Sequence, residues 1–315
     1  VNTGVHMHPS EAERIIRLVA SHVRVEAHAD NPIVSAELPS GERFEGLLPP
    51  VVLAPCFAIR KPAAKLYTLA DYVADRIMLP LQVDALKRAV RERRNILVAG
   101  GTSSGKTTLA NALLAEVAEC DERVILIEDT RELQCAAKDC VALRTRRGSV
   151  TLADLVRSTL RLRPDRIIVG EVRGEEAFDM LQAMNTGHEG SMTTIHANTP
   201  RDAISRLEQM VGMAGMPMTH ESIRAQIASA IDIIVQTQRL SDGGRRVVSI
   251  SELTGMEGNV VQLQEIYHFV RREVTPEGKI IGDFRATGVR PRFAPEAATL
   301  GHHFAKDAFN PQVAL

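Results

Sequence analysis

The strongest chemical signal in this sequence is a glycine-rich run that ends in lysine and threonine. The run matches the pattern G-x-x-x-x-G-K-T, follows an apolar stretch at 95–99 and precedes a helical pattern. In that setting the loop turns backbone N–H groups toward a phosphate, and the helix dipole favours the bound anion. Lys106 is predicted to reach the β- and γ-phosphates and the Thr107 hydroxyl to hold Mg²⁺. The candidate nucleotide-binding residues are those of the loop and the first helical turn: Gly100, Gly101, Thr102, Ser103, Ser104, Gly105, Lys106, Thr107 and Thr108.

Two carboxylates stand downstream of this loop, where predicted strands end. Glu128 follows the apolar run 124–127, and Glu171 follows the run 166–170. In an open α/β sheet, ligands bind at the carboxyl ends of the strands, so both acids are expected at the nucleotide edge. Glu128 is predicted to position or deprotonate the attacking water, with Glu132 as the reserve candidate, and Glu171 to support Mg²⁺. An acidic surface turn is the alternative interpretation of Glu128.

A single histidine, His196, follows a run of small and hydroxyl residues at the end of another predicted strand. A lone histidine in such a place commonly serves as a structural hydrogen-bonding residue. The alternative is a sensor that touches the γ-phosphate and responds to its loss. His196 is therefore a candidate catalytic residue with a structural role left open.

The hydrophobic pattern predicts the elements that must hold these side chains. From residue 95 onward, strand patterns alternate with helical patterns, which indicates an α/β domain whose parallel sheet is covered by helices. The residues Thr151–Asp154 are typical of a helix N-cap, and Asp242–Gly244 are typical of a hairpin turn. The last predicted strand covers residues 260–270.

A smaller unit precedes this domain. A capping box at Ser10 and Glu13 predicts a helix over 11–25. About sixty residues are few for an independent core, and the chain begins with valine, so we expect the N-terminal domain to be truncated. Strand patterns complete a small α+β unit at 33–38, 43–47 and 51–59. The predicted boundaries are a partial N-terminal α+β domain at 1–61, a linker at 62–80 and the α/β domain at 81–315.

Composition narrows the function classes. The 315 residues carry a net charge of −1, and aromatic residues make up 3% with no tryptophan. These values argue against a broad basic surface or a base-stacking platform for nucleic acid. No apolar stretch reaches about 20 residues, the length that spans a bilayer, so no transmembrane segment is predicted. The four cysteines form no C-x-x-C pair, which favours reduced thiols over a zinc site.

Four blocks of the sequence stand in order: the phosphate loop, I-E-D-T-R-E-L at 127–133, R-P-D-R-I-I-V-G-E-V-R-G at 163–174 and T-G-H-E-G-S-M-T-T-I-H-A-N-T-P at 186–200. Together they resemble the Walker A, Asp box, Walker B and His box of the secretion ATPase superfamily. Members of this superfamily drive type II and type IV secretion and pilus assembly. More particular segments resemble the conjugal-transfer branch of the superfamily, at 43–50, 57–63 and 284–293. The resemblance covers nearly the whole chain.

The resemblance implies a RecA-like P-loop ATPase domain preceded by a PAS-like N-terminal domain, with copies assembled as a homohexameric ring. It implies ATP and Mg²⁺ as cofactors and inner-membrane components of a type IV secretion system as partners. It also implies a cytoplasmic location, peripherally associated with the bacterial inner membrane. By resemblance, Arg43 and Arg60 match N-terminal-domain arginines that reach the nucleotide phosphates; otherwise they are solvated charges near a linker. The family's tetracysteine zinc insertion is absent, which favours the conjugation branch.

The favoured interpretation is an ATP-hydrolysing hexameric motor that powers a type IV secretion or conjugal-transfer apparatus. A pilus assembly or retraction motor shares every nucleotide motif and is an alternative. An ATP-gated scaffold with negligible turnover is a second alternative, opposed by the presence of both Glu128 and Glu171. A motor that acts directly on DNA is opposed by the neutral charge and few aromatic residues, and no direct sequence-specific nucleic-acid binding is expected.

Overall fold

The structure is a computed structural model that describes residues 3–61, 65–146, 148–299, 301 and 303–312. The chain divides into two compact units, Val1–Lys65 and Leu66–Leu315. Within the described ranges, no helix is long and apolar enough to cross a membrane. The first residues of the predicted linker, 62–64, lie outside the described residues.

The first unit packs one helix against a three-stranded antiparallel sheet. Alternate sheet residues face the helix, so that Ile16 and Val19 share a core with Val34 and Phe44. The third strand begins at residue 56 and not at 51, because Pro55 cannot donate a hydrogen bond to a strand ladder. The elements, with the sheet order β1-β2-β3, are α1 (Pro9–His22), β1 (Ile33–Glu37), β2 (Arg43–Leu47) and β3 (Cys56–Arg60).

A proline sets the start of α1. The sequence predicts a cap at Ser10 and Glu13, but the helix begins at Pro9 and its N-cap is His8. The Ser10 N–H donates to His8 Nδ1 at 3.3 Å, and the His8 N–H donates to the Glu11 carboxylate at 3.3 Å. The predicted cap is wrong because proline fits the first helical position, where its missing N–H costs no intrahelical hydrogen bond.

The second unit is built on a nine-stranded mixed sheet. The strands are β4 (Ile96–Gly100), β5 (Arg123–Glu128), β6 (Asp139–Arg144), β7 (Arg166–Val169), β8 (Met192–His196), β9 (Ile233–Arg239), β10 (Arg245–Glu257), β11 (Val260–Val274) and β12 (Ile280–Ala286). The helices are α2 (Leu69–Ala74), α3 (Pro80–Arg91), α4 (Lys106–Val117), α5 (Leu152–Thr159), α6 (Glu176–Asn185), α7 (Pro200–Met213), α8 (His220–Ala230) and α9 (Phe293–Thr299), with a short 3₁₀ turn at Ala118–Cys120.

The strand order is β12-β11-β10-β9-β4-β8-β7-β5-β6. The six strands from β9 to β6 in this order run parallel, and β10, β11 and β12 continue the sheet antiparallel from β9. The chain leaves β4 through α4 to reach β5 on one side, and it leaves β8 through α7 and α8 to reach β9 on the other. Such a switch in direction opens a crevice at the carboxyl end of β4, where ligands of open α/β sheets bind.

Residues of β4 alternate between two hydrophobic cores. Ile96 and Val98 belong to the core formed with α3 and α4, whereas Leu97 and Ala99 belong to the core formed with α5 to α8. All four side chains are buried. This burial on both faces explains why the strand is a continuous apolar run in the sequence.

The second unit contains two strands that the sequence pattern does not predict. The strands β6 and β12 lie at the two edges of the sheet and are partly polar, so their hydrophobic pattern is weak. The helix α2 agrees with the helical pattern of residues 69–76 although it lies within the range predicted as a linker, and its Leu69 and Tyr72 are buried three residues apart. Two local predictions are confirmed: Thr151 caps α5, and residues 240–244 turn the β9–β10 hairpin.

Candidate nucleotide-binding site

The glycine-rich loop joins the central strand β4 to α4. Gly100 ends the strand in a crowded position, because a Cβ there would lie 2.3 Å from the hydroxyl oxygens of Ser104 and Thr237. Gly105 has a φ of +100°, in the left-handed region that favours glycine, and it is the N-cap of α4. The loop is therefore followed directly by a helix N-terminus with its unpaired N–H groups, the arrangement that binds phosphate.

Lys106 lies at this helix start, beside an acid from the end of another strand. Its Nζ donates to the Gly101 carbonyl at 3.3 Å and lies 3.8 Å from Glu171 Oε1. Partial burial lowers the pKa of the Lys106 ammonium, while the charge of Glu171 acts in the opposite direction. The structure thus brings together Lys106 and Glu171, which are 65 residues apart in the sequence. Both contacts of Lys106 Nζ are long, so a phosphate anion is able to replace them.

Thr107 contacts the reserve carboxylate. Its hydroxyl donates to Glu132 Oε2 at 3.1 Å. Asn111 on α4 reinforces this contact, since its amide donates to the Glu132 carbonyl at 2.9 Å and accepts from the Gln134 N–H at 2.9 Å. Asn111 was not singled out from the sequence, although a polar amide within the apolar run of α4 is a visible signal; the structure shows that Asn111 is buried. The segment after β5 is consequently docked on the first turns of α4.

The Glu128 side chain holds the backbone of that segment by hydrogen bonds. Its side chain is only 5% exposed, and Oε1 accepts the backbone N–H groups of Glu132 at 3.0 Å and Leu133 at 2.8 Å. A Cβ on Gly170 would lie 3.0 Å from Glu128 Cγ, so the acid also packs closely against the neighbouring strand end. This placement gives Glu128 a clear role in shaping the loop that carries Glu132. Its assignment to the attacking water stays a prediction.

Arg173 connects Glu171 to Asp129, the residue that directly follows β5. Its Nε donates to Glu171 Oε2 at 2.7 Å, and its Nη1 lies 3.5 Å from Asp129 Oδ2. Although partial burial acts to lower the pKa of Arg173, the hydrogen bond to Glu171 and the negative charges of Glu171, Asp129 and Glu132 together outweigh it, and the pKa is raised. Thr145 also donates to Asp129, at 3.0 Å. Glu171 therefore bridges the cations Lys106 and Arg173.

His196 lies next to the first residue of the loop. It ends β8, its register partner on β4 is Gly100, and it is half-buried. Gln236 holds the backbone just beyond it, because its amide donates to the carbonyls of Ala197 and Asn198 at 3.0 and 3.1 Å. Gln236 was not predicted as a site residue; its signal is a polar residue that directly follows the apolar run 233–235 of β9. The sensor role of His196 stays a prediction.

Arg43 and Arg60 belong to the first unit and lie directly opposite each other. Arg43 of β2 and Arg60 of β3 are register partners, and on the other side of β2 the register partner of Arg43 is Glu37 of β1. Two like charges directly opposite each other on a sheet disfavour pairing unless other charges compensate. The sequence gives no hint of this adjacency, because the two arginines are 17 residues apart.

The residues at the loop suit Mg²⁺ in their chemistry. The hydroxyl of Thr107 and the carboxylates of Glu132 and Glu171 supply hard oxygen donors. Among the residues that the structure describes, no group of three or more His, Cys, Asp or Glu is placed to hold a metal ion. The Thr107 hydroxyl would hold Mg²⁺ beside the phosphates of a bound nucleotide, and the ion would supply neutralisation of phosphate charge there.

A glycine-rich loop that joins a central buried strand to a helix beginning at lysine defines the class of phosphate-loop α/β proteins. Residues 4–265 match the family described as Type II/IV secretion system protein. The chain belongs to this family, and the resemblance drawn from its four sequence blocks is confirmed.

Relatives from secretion systems share most of the chain. It is 47% identical to the conjugal transfer protein TrbB of Rhizobium radiobacter over 82% of this chain and 79% of that protein. The VirB11 ATPase of the Brucella suis type IV secretion system, solved in complex with sulphate, matches with a TM-score of 0.51 and 34% identity over 76% of this chain and 80% of that one. The pilus retraction motor PilT with bound ADP matches with a TM-score of 0.52 and 26% identity over 69% of this chain and 62% of that one.

Proposed function

We propose that this chain is an ATPase that uses ATP and Mg²⁺ to power a type IV secretion apparatus of the conjugal-transfer kind. The observation that carries the proposal is the placement of Lys106 and Thr107 against the carboxylates of Glu171 and Glu132 at the end of the central strand. The similarity to TrbB over most of both chains supports a role in conjugal transfer. The similarity to PilT keeps a pilus motor as an outcome of the tests below.

The chemistry follows from the charges at the loop. Lys106 neutralises negative charge that develops on the transferred phosphoryl group, and the Thr107 hydroxyl is the protein ligand of the metal. Bound Mg²⁺ supplies further charge neutralisation at the β- and γ-phosphate oxygens. Glu132, beside Thr107, takes the role of orienting the attacking water that the sequence predicts for Glu128, because Glu128 holds the backbone of the segment that carries Glu132.

His196 is assigned as the residue that reports the state of the γ-phosphate. Its place at the carboxyl edge of the sheet supports this role, because its register partner on the neighbouring strand is Gly100, the first residue of the loop. Glu171 is assigned to the metal's water shell and to Lys106. When nucleotide neutralises Lys106, the contacts of Glu171 with Lys106 and Arg173 must redistribute, which links ATP binding to the neighbouring strand end.

Arg43 and Arg60 are assigned to the nucleotide phosphates. Their adjacency on the sheet supports this role, because two guanidinium groups side by side form a favourable site for a doubly charged anion. Arginine contacts that form only in an assembled ring would make hydrolysis sensitive to assembly. We therefore propose a homohexameric ring with a PAS-like N-terminal domain and a RecA-like ATPase domain. We further propose that the ring works at the cytoplasmic face of the inner membrane with inner-membrane secretion components.

The direct test is phosphate release by the purified full chain with ATP and Mg²⁺. Lys106→Ala is expected to lower turnover at least ~100-fold while the fold, measured by circular dichroism, is unchanged. Lys138→Ala is the matched control, because the Lys138 side chain is 88% exposed and pairs only with the exposed Asp121 in the described structure. Lys138→Ala is expected to retain wild-type turnover.

The outcomes separate the candidate functions. A well-folded Lys106→Ala that releases phosphate at the wild-type rate refutes the site. An unaltered chain that binds ATP but releases no phosphate supports the ATP-gated scaffold. A mating assay in the source strain then separates the two motors, since Lys106→Ala abolishes plasmid transfer if the chain serves conjugation and leaves it intact if the chain serves a pilus.

A further inference from the structure

An arginine from the β9–β10 hairpin contacts the glycine-rich loop. Arg245 begins β10, and its Nε donates to the Ser103 carbonyl oxygen at 3.1 Å. Its Cδ lies 3.3 Å from the position that a Cβ on Gly105 would take, so the side-chain stem covers that glycine. Ser103 and Gly105 have φ angles of +58° and +100°. Arg245 therefore contacts both loop residues that hold left-handed backbone.

The contact with Ser103 orients one peptide plane of the loop. In a trans peptide the C=O and the following N–H point in opposite directions. With the Ser103 carbonyl held by Arg245, the Ser104 N–H faces the other way, and it donates weakly to the Gly101 carbonyl across the loop at 3.3 Å. Rotation of this plane would aim the Ser103 carbonyl oxygen into the loop and break the hydrogen bond from the Ser104 N–H to the Gly101 carbonyl.

The loop needs such support because Ser103 is a poor residue for its conformation. Non-glycine residues in the left-handed region are uncommon, and serine gains less from local side-chain contacts there than asparagine or aspartate does. A hydrogen bond between a neighbouring group and the peptide that follows Ser103 therefore stabilises the left-handed conformation of Ser103. Arg245 supplies it from a residue 142 positions away in the chain.

We propose that Arg245 is a positioning residue that holds the peptide plane between Ser103 and Ser104 in the orientation that binds nucleotide phosphate. The inference rests on the proposed nucleotide-binding function of the loop. Arg239 provides an internal comparison, because it is the register partner of Arg245 on β9 and carries the same charge. In the described structure Arg239 makes no hydrogen bond to the loop.

The test is binding of ADP with Mg²⁺ to the full chain by calorimetry, together with ATP turnover. Arg245→Ala is expected to raise the Kd for ADP about fivefold to tenfold, the scale of one charged hydrogen bond discounted for its solvent exposure. At saturating ATP its kcat stays within about twofold of wild type, because the peptide orients phosphate equally in the ground state and in the transition state. Arg245→Lys is expected to keep most of the affinity, since it retains the stem over Gly105 and a cationic donor. Arg239→Ala is expected to bind ADP within about twofold of wild type.

Three results overturn the inference. One is an Arg245→Ala variant that binds ADP with the wild-type Kd. Another is an equal loss of affinity in Arg239→Ala, which would mean that general charge and not the contact is responsible. A third is a large loss of kcat at unchanged Kd, which would place Arg245 on the transition state. If Arg245→Ala is thermally destabilised, Arg245→Gln takes its place, and weaker binding than that of Arg245→Lys supports the inference. Failure of the unaltered chain to bind ADP refutes the proposed function itself.

Discussion

Replacing Glu128 and Glu132 one at a time separates a residue that builds the site from a residue that acts in it. The two acids lie four positions apart: Glu128 is the last residue of β5, and Glu132 lies in the segment that follows it. Glu128 is buried and holds two backbone N–H groups, whereas Glu132 is half-buried and contacts the Thr107 hydroxyl. The geometry therefore predicts a loss of stability for one substitution and a loss of turnover for the other.

The magnitude for Glu128 follows from its two hydrogen bonds. Glu128→Ala leaves the N–H groups of Glu132 and Leu133 without their acceptor, at about 1–3 kcal/mol for each buried donor. Because the Leu133 N–H is buried and the Glu132 N–H is only partly so, we expect the free energy of unfolding to fall by about 2–4 kcal/mol. For a unit of this size, that corresponds to a Tm lower by about 5–15 °C. Glu128→Gln keeps an acceptor oxygen, so its Tm is expected within about 3 °C of wild type.

The assays are differential scanning calorimetry and phosphate release on the same preparations. Glu132→Gln is expected to leave Tm unchanged and to bind ATP, but to hydrolyse it at least ~100-fold more slowly. Glu128→Gln is expected to retain turnover within about tenfold of wild type, because the loop stays in place. A Glu128→Gln variant as inactive as Glu132→Gln, at unchanged Tm, refutes this division and returns the attacking water to Glu128.

The remaining predictions concern the sensor and the N-terminal arginines. His196→Ala is expected to lower turnover more than ATP affinity at an unchanged circular dichroism spectrum; a variant that unfolds, or that loses affinity and turnover equally, supports the structural role instead. Arg43→Ala and Arg60→Ala are expected to lower turnover several-fold with the second unit still folded, and the specific activity of the unaltered chain is expected to rise with protein concentration as the ring assembles. Full activity of both arginine variants, with specific activity flat across about a hundredfold dilution, contradicts the proposed roles of the arginines and of ring assembly.

Local patterns are sufficient to predict the α/β class, the phosphate loop and the hairpin turn at Asp242–Gly244. A continuous apolar run such as β4 indicates a strand buried on both faces, and a lysine that follows Gly105 indicates a helix start. The N-cap at Thr151 depends on Asp154 three residues later, within one helical turn. All of these features arise from residues close together in the chain, so their physical causes are visible in the sequence.

The roles within the acidic segment depend on its path in three dimensions. In the sequence Glu128 is the first candidate and Glu132 the reserve, and only the turn after β5 directs Glu128 to backbone N–H groups and Glu132 to Thr107. The edge strands β6 and β12 are similar cases. Each is stabilised by a single neighbouring strand, so its existence depends on pairing and not on its own weak pattern.

Contacts between distant parts of the chain required the tertiary structure. Arg166 is an unremarkable first residue of a strand in the sequence, yet it is 1% exposed, pairs with Glu122 and donates to the Val90 carbonyl. Arg245 reaches Ser103 only because β9 lies beside β4 and the hairpin returns toward the loop. Strand order decides which side chains meet across such separations, and strand order results from the packing of whole elements, which no local propensity encodes.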